Sequence, residues 1–71
     1  MTELRLHREL YTGAALDGAL AVYAPHATFE RADDAAHWVV RITSRSLERE
    51  RRVAGELGNY ALGLTVKGRT R

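Results

Sequence analysis

The chain predicts a small α/β (α+β) domain: a two-layer sandwich of order β-α-β-β-α, in which two helices cover one face of a three-stranded sheet. Three observations predict it. Leu4, Leu6 and Leu10 fall on alternate positions with Arg5, His7 and Glu9 between them, the period of a half-buried strand. Trp38-Val-Val-Arg-Ile-Thr43 is the strongest strand pattern in the chain. Segment 46–65 reads as one amphipathic helix.

The first strand is placed at Glu3 to Glu9. Thr12 is a candidate N-cap, with Tyr11 and Leu16 spaced as a hydrophobic staple around it. The first helix follows over Gly13 to Ala24, with Ala15/Leu16, Ala19/Leu20 and Tyr23 as its apolar stripe and Gly18 as its weak point. Pro25 stops it, because proline has no N–H to donate and restricts the residue before it. Ala27 to Ala32 is a second strand, and Asp33-Asp34-Ala35-Ala36 a hairpin turn into the third. That third strand sets Trp38, Val40 and Ile42 on one face and Val39, Arg41 and Thr43 on the other. It is expected between the first two strands, since a right-handed crossover through the first helix leaves room for it to insert antiparallel.

Ser44 or Ser46 caps the last helix, Glu48 sits near its positive end, and Glu48 and Arg52 are spaced as an i,i+4 pair. Leu47, Ala54, Leu57, Ala61 and Leu64 form the stripe expected to face the sheet. Gly55, Gly58 and Gly63 interrupt this helix at roughly 0.8–1 kcal/mol each relative to alanine. They imply either close backbone approach to something or an early helix end.

The 71 residues make one domain with a basic tail at 67–71. A domain near this size buries only about 60% of its unfolded surface, so its stability is expected to be marginal and to lean on a partner. Cysteine is absent, which removes disulfides and thiolate metal sites together and leaves a homodimer or a larger assembly as the expected support. With 45% hydrophobic and 28% charged residues the composition is that of a folded chain. No run approaches the roughly 20 apolar residues that span a bilayer, and Met-Thr-Glu-Leu-Arg lacks the apolar stretch of a secretory signal, so a cytoplasmic location and no membrane partner are expected. The net charge of +2 is a modest excess, gathered in Arg49, Arg51 and Arg52 and in Lys67, Arg69 and Arg71. Nucleic acid is thereby permitted as a partner without being indicated.

No catalytic constellation is legible and no cofactor is expected. His7, His26 and His37, even with Asp17, Asp33 and Asp34, lack the i,i+3 or i,i+4 pairs that place metal ligands on one helix face. Ser44 and Ser46 are better explained as caps than as nucleophiles. Gly55-Glu-Leu-Gly58 is similar to the nucleotide-clamping loop of KH domains, yet it falls inside a helical pattern. The features with most interaction potential are the outer strand edges, which could take an extended peptide as an added strand, and the uncovered sheet face bearing Val39, Arg41 and Thr43. Arg5, Glu30 and Arg31 stand where charge would protect such edges.

Leu10-Tyr11 leading into an alanine-bearing helix, the acidic hairpin before a Val/Ile strand, and above all Ala54-Gly-Glu-Leu-Gly-Asn-Tyr-Ala-Leu62 together resemble the HxsD family. These small proteins accompany radical S-adenosylmethionine proteins in His-Xaa-Ser peptide modification systems. Gly58 and Gly63 depart from the family pattern, which tends to carry larger residues there. The resemblance implies a non-catalytic accessory subunit that assists a maturation enzyme, and it carries over Asn59 as a structural or interface residue. The expected function is an interaction module with a protein or peptide partner, through Val39, Arg41, Thr43, Gly55, Gly58, Asn59 and Tyr60; the alternative is a small nucleic-acid-associated regulator.

Overall fold

The computed structural model describes residues 1–69 apart from the Arg69 side chain; Arg71 and that side chain, both in the expected basic tail, lie outside the described residues. The elements are β1 (Thr2–His7), α1 (Gly13–Tyr23), β2 (Thr28–Arg31), β3 (His37–Thr43) and α2 (Leu47–Arg69). The sheet is antiparallel throughout with order β1-β3-β2, so the third strand does insert between the first two. Its register sets Leu4 opposite Val40, Leu6 opposite Trp38 and Phe29 opposite Ile42, which aligns the apolar rows of all three strands on the helix-covered face.

The core forms where both helices meet that face: Leu6, Val40 and Ile42 from the sheet, Leu16 and Ala19 from α1, Val53, Leu57 and Ala61 from α2. α1 starts at an N-cap Thr12 whose Oγ1 accepts the Ala15 N–H at 3.1 Å, and it ends before Pro25. The hairpin between β2 and β3 is tied by the Asp34 carboxylate, which accepts the N–H groups of Ala36 and His37 at 2.9 and 2.7 Å. Ser46 caps α2 through the Arg49 N–H at 3.1 Å, while the Ser44 hydroxyl donates to the Ser46 carbonyl.

Three expectations are corrected. β1 stops at His7, not Glu9, because the His7 carbonyl accepts the N–H groups of Leu10 and Tyr11 and turns the chain; Leu10 is thrown outward and exposed. β2 is shorter at both ends than Ala27–Ala32. In α2 the buried arc runs Glu50, Val53, Leu57, Ala61, Thr65, and Leu47 is exposed. The helix does not end early at its glycines either, since it is continuous from Leu47 to Arg69.

Only two glycines answer to close packing. A Cβ at Gly18 would lie 3.2 Å from Leu64 Cδ1, where α1 crosses α2, and one at Gly13 would lie 3.3 Å from the Trp38 ring. Trp38 is half-buried against the start of α1, its Nε1–H donating to the Tyr11 carbonyl at 2.9 Å and the Arg8 guanidinium lying 4.0 Å from its ring centroid.

Candidate functional site

Three surfaces compete as sites. The sheet face turned away from the helices carries Glu3 and Arg5 of β1, Val39, Arg41 and Thr43 of β3, and Glu30 of β2. It is roofed by charge: Arg5 reaches Glu3 and Asp34 at 3.5 and 2.9 Å, and Arg41 reaches Glu3 and Glu30 at 3.7 and 3.4 Å. Beneath these side chains Val39 is only 2% exposed, so this face presents a lattice of ion pairs and no open apolar patch.

The second surface is the free edge of β1. The Arg8 N–H donates to the Ala36 carbonyl in continuation of the β1–β3 register, so residues of even number in β1 bond inward and Glu3, Arg5 and His7 point their backbone groups outward. The His7 carbonyl is taken by the turn. An N–H and a C=O remain at each of Glu3 and Arg5, with the His7 N–H beyond them. The β2 edge is shorter, four residues against six.

α2 packs over β1, and its contacts with α1 fix how it is rotated. Tyr60 meets Tyr23 edge to face with ring centroids 5.9 Å apart, and Leu64 approaches Gly18, so these two mark the α1 side. Gly58 lies about 200° of helical rotation from Tyr60, on the opposite flank, which overhangs the β1 edge. Gly55 and exposed Leu62 share that flank, and a Cβ at Gly55 or Gly58 would meet nothing within 4 Å. Asn59 is exposed between the two flanks. The residues expected to form one interface are thus divided: Val39, Arg41 and Thr43 belong to the sheet, Gly55 and Gly58 overhang β1, and Tyr60 faces α1.

The third surface is a cleft of about 570 Å³ between the C-terminal end of α1 and the first half of α2, lined by Tyr23, His26, Arg45, Arg49 and Arg52 among others. It adjoins a hollow of about 350 Å³ that shares His26, Arg45 and Arg49 and adds Thr28, Thr43 and Ser44. His26 was weighed only as a metal ligand and Arg45 was not legible as a site residue, because the two are far apart in the chain and neither belongs to a basic run. Arg51, about 200° from Arg49 around the helix, does not join them.

Behind this hollow, Glu50 is buried at 3% exposure. Its carboxylate accepts the Ser44 N–H at 3.1 Å and the Thr2 hydroxyl at 2.9 Å, and lies 3.1 Å from the Met1 ammonium nitrogen. The Ser44 bond, above the others, holds its pKa below the ordinary carboxyl value. Glu50 therefore locks β1, the β3–α2 loop and α2 together, a structural role. Its position four before Ala54 and seven before Leu57 was the signal that could have revealed it. Among the described residues no helix is long and apolar enough to cross a membrane. No family model, no curated protein and no solved structure matches the chain.

Proposed function

We propose that the chain is a non-catalytic interaction module that receives an extended peptide as an added strand on the free edge of β1. The observation that carries this reading is the juxtaposition of outward backbone groups at Glu3 and Arg5 with a helix flank emptied by Gly55 and Gly58. An added strand would satisfy those groups, and its side chains would alternate between two environments. One row would meet Gly55, Gly58 and Leu62; the other would lie beside the ion pairs of Glu3 and Arg5. The preferred peptide is accordingly apolar at alternate positions and polar or charged between them.

The accessory role implied by the resemblance to HxsD is the most specific form of this proposal: the added strand is a precursor peptide, presented to a radical S-adenosylmethionine enzyme. A second copy of the chain is the competing occupant of the same edge. The nucleic-acid reading has weaker support, because Arg49 and Arg52 line one cleft while Arg51 points elsewhere.

The test uses peptides selected from a display library and the variants Arg5→Pro and Arg5→Ala. Proline removes one outward N–H and spares the inward ladder to β3, so the edge strand is expected to stay folded by circular dichroism. Alanine controls for the lost ion pairs. Binding is expected to vanish in Arg5→Pro, persist in Arg5→Ala, and survive added salt. Undiminished binding by a folded Arg5→Pro sinks the proposal, and a steep decline with salt points to a polyanion instead.

A further inference from the structure

The arginines of this chain sort into those with a partner and those without. Arg5, Arg31, Arg41 and Arg52 are held by carboxylates, and Arg8 lies over Trp38. Among the described residues the side chains of Arg45, Arg49 and Arg51 have no hydrogen-bond or ion-pair partner, and of these Arg45 and Arg49 line the two adjoining hollows at the end of α1. The smaller hollow contains no acidic residue. It combines those two guanidiniums with the His26 imidazole. The larger one differs in chemistry: Tyr23 and Val53 offer an apolar wall, Glu56 offers an acceptor, and Glu48 is paired with a further guanidinium, that of Arg52.

We infer that this double hollow is a binding site for a small phosphomonoester with a hydroxylated body. The phosphoryl group sits in the acid-free hollow, where the two unpaired guanidiniums match its dianion. The body extends past His26 into the larger cleft, its hydroxyls donating to Glu56 and its carbon skeleton resting on Tyr23. A carboxylate would leave one of the two guanidiniums uncompensated.

The experiment is an NMR titration of the intact chain with inorganic phosphate, ribose 5-phosphate and ribose, read at the backbone amides of Thr28, Thr43 and Ser44. Ribose 5-phosphate is expected to shift these signals saturably and to bind more tightly than inorganic phosphate, with ribose alone inert. Arg45→Gln and Arg49→Gln should each weaken binding by about tenfold, the loss of a charge-assisted hydrogen bond. Arg51→Gln, which removes an equal charge outside the hollows, should leave it unchanged. The inference is overturned by equal weakening in Arg51→Gln, by ribose 5-phosphate binding no better than inorganic phosphate or sulfate, by the absence of saturation, or by single-stranded RNA binding where the monoester fails. The site shares no residue with the β1 edge, so either proposal can fail while the other stands.

Discussion

Gly55, Gly58 and Gly63 are retained in a helix where nothing among the described residues requires them, and replacing them with alanine measures that. A Cβ at each position meets no atom within 4 Å, so alanine adds no clash. What it adds is helix propensity, about 0.8–1 kcal/mol per site, chiefly by restricting the unfolded chain. The three sites together should contribute about 2.5–3 kcal/mol if additive. For a domain of this size that corresponds to a rise in Tm of roughly 10–24 °C, at about 4–8 °C per kcal/mol. With a urea m-value near 1 kcal/mol/M, the midpoint would move by about 2–3 M.

The assay is urea denaturation followed by circular dichroism for each single variant and for the triple. Gly18→Ala is the internal contrast. Leu64 Cδ1 stands 3.2 Å from the new methyl, so part of the same propensity gain is spent displacing a packed side chain, and its stabilisation should be smaller. Destabilisation in Gly55→Ala or Gly58→Ala would refute the reasoning, because it would mean that the flank is already packed, for example by a second copy. If the alanines stabilise the chain and weaken peptide binding, the glycines serve the partner and not the fold.

Three further outcomes are expected. Trp38→Phe should cost about 1–2 kcal/mol, combining the lost hydrogen bond to the Tyr11 carbonyl with the weakened Arg8 contact, as read from thermal or urea unfolding; a cost no greater than that of Arg8→Ala would assign the whole effect to the cation–π contact. Thr65→Val should cost about 1 kcal/mol by the same measurement, since the Thr65 hydroxyl accepts the Thr12 N–H at 3.2 Å and donates to the Ala61 carbonyl at 2.8 Å; a neutral result would show that water replaces it. The pKa values of Glu50, Asp33 and Asp34 are all lowered, by the Ser44 N–H, by Arg31 and by the Ala36 and His37 N–H groups respectively, so their stabilisation is complete above the ordinary carboxyl range and is lost as pH falls through the depressed folded values. Glu50→Gln should therefore flatten part of that acid-side decline in urea midpoint, and an unchanged profile would contradict the assignment.

The element order, the central position of β3 and the Thr12 cap were legible because each rests on local chemistry: alternation, capping and proline punctuation act within a few residues. The end of β1 was not, since Leu10 lies in phase with Leu4 and Leu6 although Arg8 breaks the alternation between them, and the turn at His7 depends on backbone bonds that leave no mark on hydropathy. The stripe of α2 was legible at Ala54, Leu57, Ala61 and Leu64 and misplaced only at Leu47, for a related reason. An apolar stripe drawn through Leu47 obeys helical spacing, but the true buried arc passes through Glu50 and Thr65, whose burial depends on partners at Thr2, Ser44 and Thr12.

The rotation of α2 bears on function, because it decides what its glycines face. With Glu50 and Thr65 inward, Gly55 and Gly58 lie over the β1 edge, and Arg49 turns toward His26. Two buried polar residues thus separate a flank suited to a peptide from a hollow suited to an anion. Each of them holds a different part of the chain against α2, Glu50 the start of β1 and Thr65 the start of α1. Apolar replacements at both positions could keep the helix packed while freeing its rotation, and both candidate sites would then blur together.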